Sequence, residues 1–479
     1  MQVDVHLPSG DNCSVAASPE TPISELKAAA QKHFQRRLKL VAKGRQLDLT
    51  ATLSQAGLQN GDVVTAVVQL GKLAATKPAF ALHGHGDEVV TWGDPEWGGD
   101  SSQVQEQLTN VQHIQANSAA FAAILASGAV VTWGDPEWGG DSSQVQEQLQ
   151  NVQHIQAAHR AFAAILESGA VVTWGNPDHG AESSQVQEQL QSVQHIQATD
   201  WAFAAILASG AVVTWGDPEE GGHSSQVQEQ LRNVQHIQAN HCAFAAILES
   251  GGVVTWGHPV LGGDSSQVQE QLRNVQHIQA TYGAFAAILA SGAVVTWGSP
   301  SYGGDSSKVQ EQLTHVQRIQ ATASGAFAAI LESGSVVTWG HPELGGDSSQ
   351  VQEQLSNVQH IQATHRAFAA ILESGAVVTW GDPEEGGDSS QVQEQLRSAQ
   401  HIQATGGAFA AILESGSVVT WGHPELGGDS SQVQEQLSNV QHIQATHRAF
   451  AAILESGAVV TWGDPEEGAD SSQVRCTSS

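Results

Sequence analysis

The phrase "VVTWG" occurs ten times, its tryptophan advancing from Trp92 to Trp462 in steps of 41 residues, with a single step of 42. A chain that copies itself on this scale cannot build one ordinary globular core, because each copy has the same apolar letters to bury and chiefly its own copies to bury them against. The 479 residues therefore read as an array of small units. The longer step falls where "ATASGAF" replaces "ATYGAF", which marks a surface turn.

Within one unit, residues 100–134, the hydrophobic period changes. "SSQVQEQLTNV" places Val104, Leu108 and Val111 at i, i+4, i+7, and Ser102 with Gln105 fits a capping box, so a short helix is expected there, with an irregular strand as the alternative. "QHIQA" reads as a half-polar strand. "AFAAIL" and "AVVTWG" are apolar on both alternating faces, as buried central strands are, and the "ASG" or "ESG" between them suits a three-residue hairpin turn with a left-handed glycine. The ten fixed tryptophans read as core, and the fixed letters as the faces that adjacent copies bury against one another.

A few letters drift. After each Trp-Gly comes a variable x-Pro-x-x ("DPEW", "NPDH", "DPEE", "HPVL", "SPSY"), and a second variable patch separates "IQA" from "AFAAIL" ("NSA", "AHR", "TDW", "NHC", "THR"). If the three strands run antiparallel, both patches lie at one end of every unit and form a shared rim. That rim holds Trp97, Trp138 and Trp201, the tryptophans outside the fixed phrase, with both tyrosines, Tyr282 and Tyr302, and the carboxylates Glu96, Glu220, Glu385 and Glu467. Tyr and Trp are frequent anchors of protein interfaces, so a protein-recognition rim is expected, against the alternative of neutral drift in exposed turns.

Charge narrows the partners. Of the net −31, residues 1–78 contribute nine Lys/Arg against six Asp/Glu, and residues 79–479 nine against 43. Such an acidic array repels phosphate backbones and anionic lipids and favours basic protein partners, so neither nucleic acid nor membrane is expected. Cys13, Cys242 and Cys476 are far apart and form no metal or disulfide spacing, which suits a reducing compartment. The opening "MQVDVHLPSG" is no signal peptide, and runs such as "AFAAIL" fall far short of the ~20 residues of a membrane helix, so a soluble cytoplasmic chain is expected, with the nucleus also open to it.

A histidine recurs at one position in eight units, from His113 to His442, with Arg318 in another. It reads as a structural residue of a half-polar strand, with a metal ladder as the alternative; no metal, cofactor or catalytic set is expected. "DPEEGGDSS" fits no calcium-loop spacing.

The first seventy residues differ. Val3, Val5 and Leu7 alternate, a turn follows at Ser9-Gly10, "ISELKAAAQKHF" reads as a helix, and strands follow in "LKLVAKGRQL" and "VVTAVVQL". In this order and in the phrases "MQV" and "KGRQLDLTATLSQAGLQNGD", residues 1–70 resemble ubiquitin. The resemblance implies an α+β β-grasp domain with an apolar recognition patch at Leu7, Val41 and Val67. No Gly-Gly tail ends it, so docking rather than conjugation is implied. Residues 71–78 read as a linker, 79–470 as the array and 471–479 as a tail.

The phrase "VQHIQA…AFAAILESGAVVTWGDPEEGG" is similar to the repeat of the regulator-of-chromosome-condensation β-propeller family, whose Gly-x-Val-x-x-Trp-Gly fits Gly128-Ala129-Val130 through Trp133-Gly134. The family's Gly-x-x-His is absent, "GGDSS" stands for its G-Q-L-G, and ten units exceed its usual seven blades. The fold expected is a mainly β repeat array, propeller-like or alternatively an open superhelix of β-β-β-α units. The combination resembles HECT-type ubiquitin ligases that carry such propellers, without a HECT domain. It implies a non-enzymatic adaptor of ubiquitin-pathway or proteasome components. The alternatives are guanine-nucleotide exchange on a small GTPase, by family analogy, and a largely structural expansion.

Overall fold

A computed structural model describes residues 1–7, 10–34, 38–68, 71–84 and 89–470. Residues 2–68 form a mixed five-stranded sheet, β1 Gln2–His6, β2 Asn12–Ala16, β3 Leu38–Ala42, β4 Arg45–Gln46 and β5 Val63–Val68, with the helix α1 Ile23–Phe34 following β2. The strand order is β2-β1-β5-β3-β4, with β1 and β5 parallel. Period-2 alternation sends Val3, Val5, Leu40, Val64 and Ala66 to one face, where Ile23, Leu26 and Ala30 of α1 cover them.

The remaining described residues make ten separate three-stranded antiparallel sheets. Each unit has an inner, a middle and an outer strand; in unit 3 these are Val152–Ala157, Ala161–Leu166 and Val171–Gly175. The sheets remain open-edged and distinct, so no closed barrel forms. They stack face to face, and the middle strand explains why. Ala161, Phe162, Ala163 and Ala164 are all fully buried, but they serve two different interfaces. Phe162, Ala164, Val172 and Trp174 pack on Ala120, Ala122 and Ile124 of unit 2, while Ala161, Ala163 and Ile165 receive Phe203 and Trp215 of unit 4. One face is large and the other small, and each copy therefore fits the next; burying each phenylalanine stabilises the stack by about 2–3 kcal/mol.

The tryptophan also fixes spacing. Trp174 Nε1 donates to the carbonyl of Gly139 in the preceding unit, and the same bond recurs at 3.0–3.1 Å at every junction. Gly139 itself has φ 97° and lies so close to Phe162 that a Cβ would meet its ring at 2.7 Å, which is why glycine closes each Pro-containing turn.

The junction between unit 10 and unit 1 repeats the others. Trp92 donates to Gly468 O at 3.0 Å, Phe80 and Trp92 pack on Ala449, Ala451 and Ile453, and His447 N donates to Lys77 O at 3.0 Å. Inner strands touch their neighbours around the whole circuit, the last (Val440–Ala445) meeting the first (Lys72–Ala75).

Three expectations are corrected. Residues 71–78 are not a linker: Lys72–Ala75 is the inner strand of unit 1, pairing Lys72 with His83 and Ala75 with Phe80. The segment hid because "GKLAATKP" shares too few letters with "VQHIQA". The unit is not β-β-β-α, because "SSQVQEQL" forms a short 3-10 turn, Gln105–Gln107, in place of a helix. The capping box also fails: Ser101, rather than Ser102, bonds Gln105, whose Nε2 donates to Val89 O and so ties the segment to the outer strand. The Gly128 turn and the longer turn at Thr322–Gly325 stand where the sequence places turns. Residues 471–479 lie outside the described residues, and among the described residues no helix is long and apolar enough to cross a membrane.

Candidate protein-binding rim

Antiparallel pairing brings the inner-to-middle turn and the exit of the outer strand to the same end of each unit, so the two variable patches do share a rim. A side chain locks them together. Asn117 Nδ2 donates to Trp138 O at 2.6 Å, and Thr199, Thr281 and Thr364 hydroxyls donate to Glu220 O, Tyr302 O and Glu385 O at 3.2, 2.7 and 3.1 Å. The first letter of "NSA" or "TDW" is thus a buried structural anchor, and its being Thr or Asn in every unit but that of Ala158 follows from the need for a short polar side chain.

The second letter lines the mouth of the circuit. There the backbones bond from unit to unit, as in Lys77 N to Ser118 O, Asp200 N to His241 O and His365 N to Gly406 O, at 3.0–3.1 Å. Asp200 sits in this ring with His241 Nδ1 at 2.7 Å and His159 Nδ1 at 3.9 Å. Burial would raise the Asp200 carboxyl, but the His241 hydrogen bond and the nearby bases outweigh it and hold the carboxyl below its usual range. Burial pushes His159 and His447 down to about 4.

The x-Pro-x-x letters divide by position. Where the first is Asp or Asn it caps the short turn, Asp94 Oδ1 accepting from Glu96 N at 2.9 Å, with proline at the start of the turn. The third letter is exposed, and is acidic in eight of the ten units, as in Glu96, Glu137, Asp178 and Glu219. The fourth lies across the neighbouring unit, and there the aromatic residues meet. Ring centroids run from Trp97 to Trp138 at 5.4 Å, on to His159 at 5.1 Å and His179 at 5.8 Å, and end on Trp201 at 3.9 Å. Arg160 lies 4.1 Å over Trp138. A second group joins His241, Tyr282 and Tyr302 at 4.1 and 5.3 Å. All five aromatic rim residues expected from the sequence therefore take part in two clusters. The histidines that complete them were not foreseen, since only the facing of the fourth letter reveals them.

The acidic residues need correction. Glu96 is exposed, but Glu220, Glu385 and Glu467 occupy the fourth position and are half-buried. Glu385 lies 3.5 Å from Arg366 and Glu467 lies 3.8 Å from Arg448, so these carboxylates turn inward. Burial raises Glu385 and lifts Glu467 to about 7 despite the arginine. Glu220 faces Cys242, whose thiol burial and the Glu220 hydrogen bond push upward. The patch expected at Leu7, Val41 and Val67 does not assemble as a surface trio. Leu7 is 4% exposed inside the first core and Val41 is half-buried, while Val67 at 42% and Val63 at 53% are open.

No family model and no curated protein matches the chain. Among solved structures, it is similar to a chain in the crystal structure of Kap60 bound to yeast RCC1 (Prp20), at 16% identity and TM-score 0.32, covering 51% of this chain and 72% of that one. It is also similar to the computationally designed Ika8 protein, at 12% identity and TM-score 0.31, covering 65% of this chain and 96% of that one. Likenesses this slight carry no argument about fold or function.

Proposed function

We propose that the array is a ten-unit, propeller-type scaffold and that the chain is a non-enzymatic adaptor holding a basic protein partner on the Trp97–Trp201 sector of its rim. The N-terminal domain, ubiquitin-like in its sequence phrases, docks ubiquitin-pathway or proteasome components in this reading, in the cytoplasm or nucleus. The observation that carries the proposal is the half-exposed pair Trp97–Trp138, flanked by the exposed carboxylates Glu96 and Glu137. Flat aromatic surface supplies affinity when desolvated, and the surrounding acids select Lys/Arg-rich partners and speed encounter. Nucleotide exchange, which the family resemblance also implies, rests on no residue of this rim.

The test uses the full chain and immobilised peptides of matched length, basic or acidic. Binding confined to basic peptides, weakened by salt and lost in W97A/W138A, supports the reading. Equal capture of both peptide classes, or capture unchanged by that double variant, overturns it.

A further inference from the structure

The recurrent histidine of "VQHIQA" is left unused by the rim, and the structure gives it unexpected company. It pairs with the isoleucine of the middle strand, His154 opposite Ile165 and Arg318 opposite Ile330, and the same register in unit 1 sets Lys72 opposite His83. Every unit thus places a basic or protonatable residue at one level of its inner strand: Lys72, Arg318 and eight histidines from His113 to His442. Inner strands adjoin one another around the circuit, so these side chains form a continuous ring, exposed toward the central space. Arg318 Nη1 lies 3.4 Å from His360 Nδ1.

Among the described residues, six units place a glutamate in the turn at the ring's near end: Glu167, Glu249, Glu332, Glu373, Glu414 and Glu455. Each member faces its counterparts on the two adjoining inner strands, and an isoleucine, or His83 in unit 1, on its own middle strand. The turns at the near end carry exposed glutamates such as Glu167 and Glu249, and among the described residues no ring member makes an ion pair with them. At the mouth stand Lys77, His159, His241, His365, His447 and one carboxylate, Asp200, already bonded to His241. Partial desolvation by the crowded inner strands, which leave the rings open on one side, and then the neighbouring histidines lower the proton affinity of His154, His236, His401 and His442. Among the described residues no three ligating side chains converge as a metal ion requires.

We propose that this ring is an acid-gated site for a short linear polyphosphate anion, which bridges several successive units once their imidazoles carry protons. The surrounding net charge of −31 disfavours anions, so a monovalent one gains too little from any one unit, while a linear polyphosphate spans several bases together. Lys72 and Arg318 occupy the two ring positions that do not hold histidine. As pH falls, protons added to adjacent imidazoles repel one another, and a bound polyanion relieves that repulsion. Anion affinity therefore rises with acidification, and by linkage the anion raises the histidines' proton affinity.

The probe is inorganic tripolyphosphate, titrated calorimetrically into the full chain at about pH 5.5 and about pH 7.5, at fixed ionic strength. Affinity at least about tenfold tighter at the lower pH, near one anion per chain with proton uptake, is expected. The triple variant H154Q/H195Q/H236Q should lose most of that gain, while H223Q, an exposed change away from the ring, should keep it; circular dichroism checks that both variants fold. Equal affinity at the two pH values, orthophosphate binding as tightly as tripolyphosphate, or a folded triple variant that binds like the parent overturns the proposal.

Discussion

At the scale of single residues, burial wins over charge pairing on the rim, and Glu467 shows by how much. Arg448 lies within 4 Å and favours the carboxylate, yet desolvation and Asp464 lift Glu467 from 4.5 to about 7. The folded state then holds a proton that the unfolded chain releases near 4.5, so this group's contribution is fully present below that pH and is lost as pH rises through 7. Glu467→Gln keeps the neutral form at every pH. It is expected to raise the melting temperature at about pH 8 and to leave it nearly unchanged at about pH 4.5. Thermal unfolding of both proteins at the two pH values checks this; a variant less stable at the higher pH would mean that the Arg448 pair dominates. His447 works in the opposite sense, its stabilisation present above 6.5 and lost as pH falls toward 4.

At the scale of the element, the two rim turns of eight units are held together by one buried Thr or Asn. Thr199 accepts from Trp201 N at 3.2 Å and Ala202 N at 2.9 Å while donating to Glu220 O. Thr199→Val keeps the shape and removes all three bonds, with an expected loss of about 1–3 kcal/mol in denaturant unfolding. The corresponding Ala158 of unit 3 lacks such a hydroxyl, and there His179 Nδ1 bonds Asp200 O instead, at 2.8 Å. The three strands and the common rim were legible because hydrophobic period and turn chemistry are local. The helix was misread because Val104, Leu108 and Val111 keep a helical spacing while Ser101 and Gln105 spend their hydrogen bonds on Thr91 and Val89. That competition is tertiary and leaves no mark in the spacing. The same holds for the rim acids: Glu96 and Glu467 look alike as letters, and only the alternation of the short turn separates the outward third position from the tucked fourth.

For the whole molecule, the seam is the informative place. Linear repeat stacks need polar caps on their end units, because each end otherwise exposes an apolar face. Here units 1 and 10 are each complete, with three strands of their own, so no strand is exchanged across the seam. Face packing, the Trp92 bond and the His447 N to Lys77 O bond hold it: the large face of Phe80 and Trp92 meets the small face of Ala449 and Ala451. The energetic consequence is specific. If that junction is as well formed in solution as the others, Phe80→Ala removes the same contacts as Phe285→Ala in mid-array, and both should cost about 3–5 kcal/mol in denaturant unfolding. If the circuit opens at the seam, Phe80 is already partly hydrated and its truncation falls well below that of Phe285. Parallel unfolding of the two variants, with hydrogen exchange at the Trp92 indole as a local reporter, distinguishes a ring from a spiral. The inner-strand ring rests on this seam, because Lys72 joins His113 and His442 in one belt only while the first inner strand stays against the last.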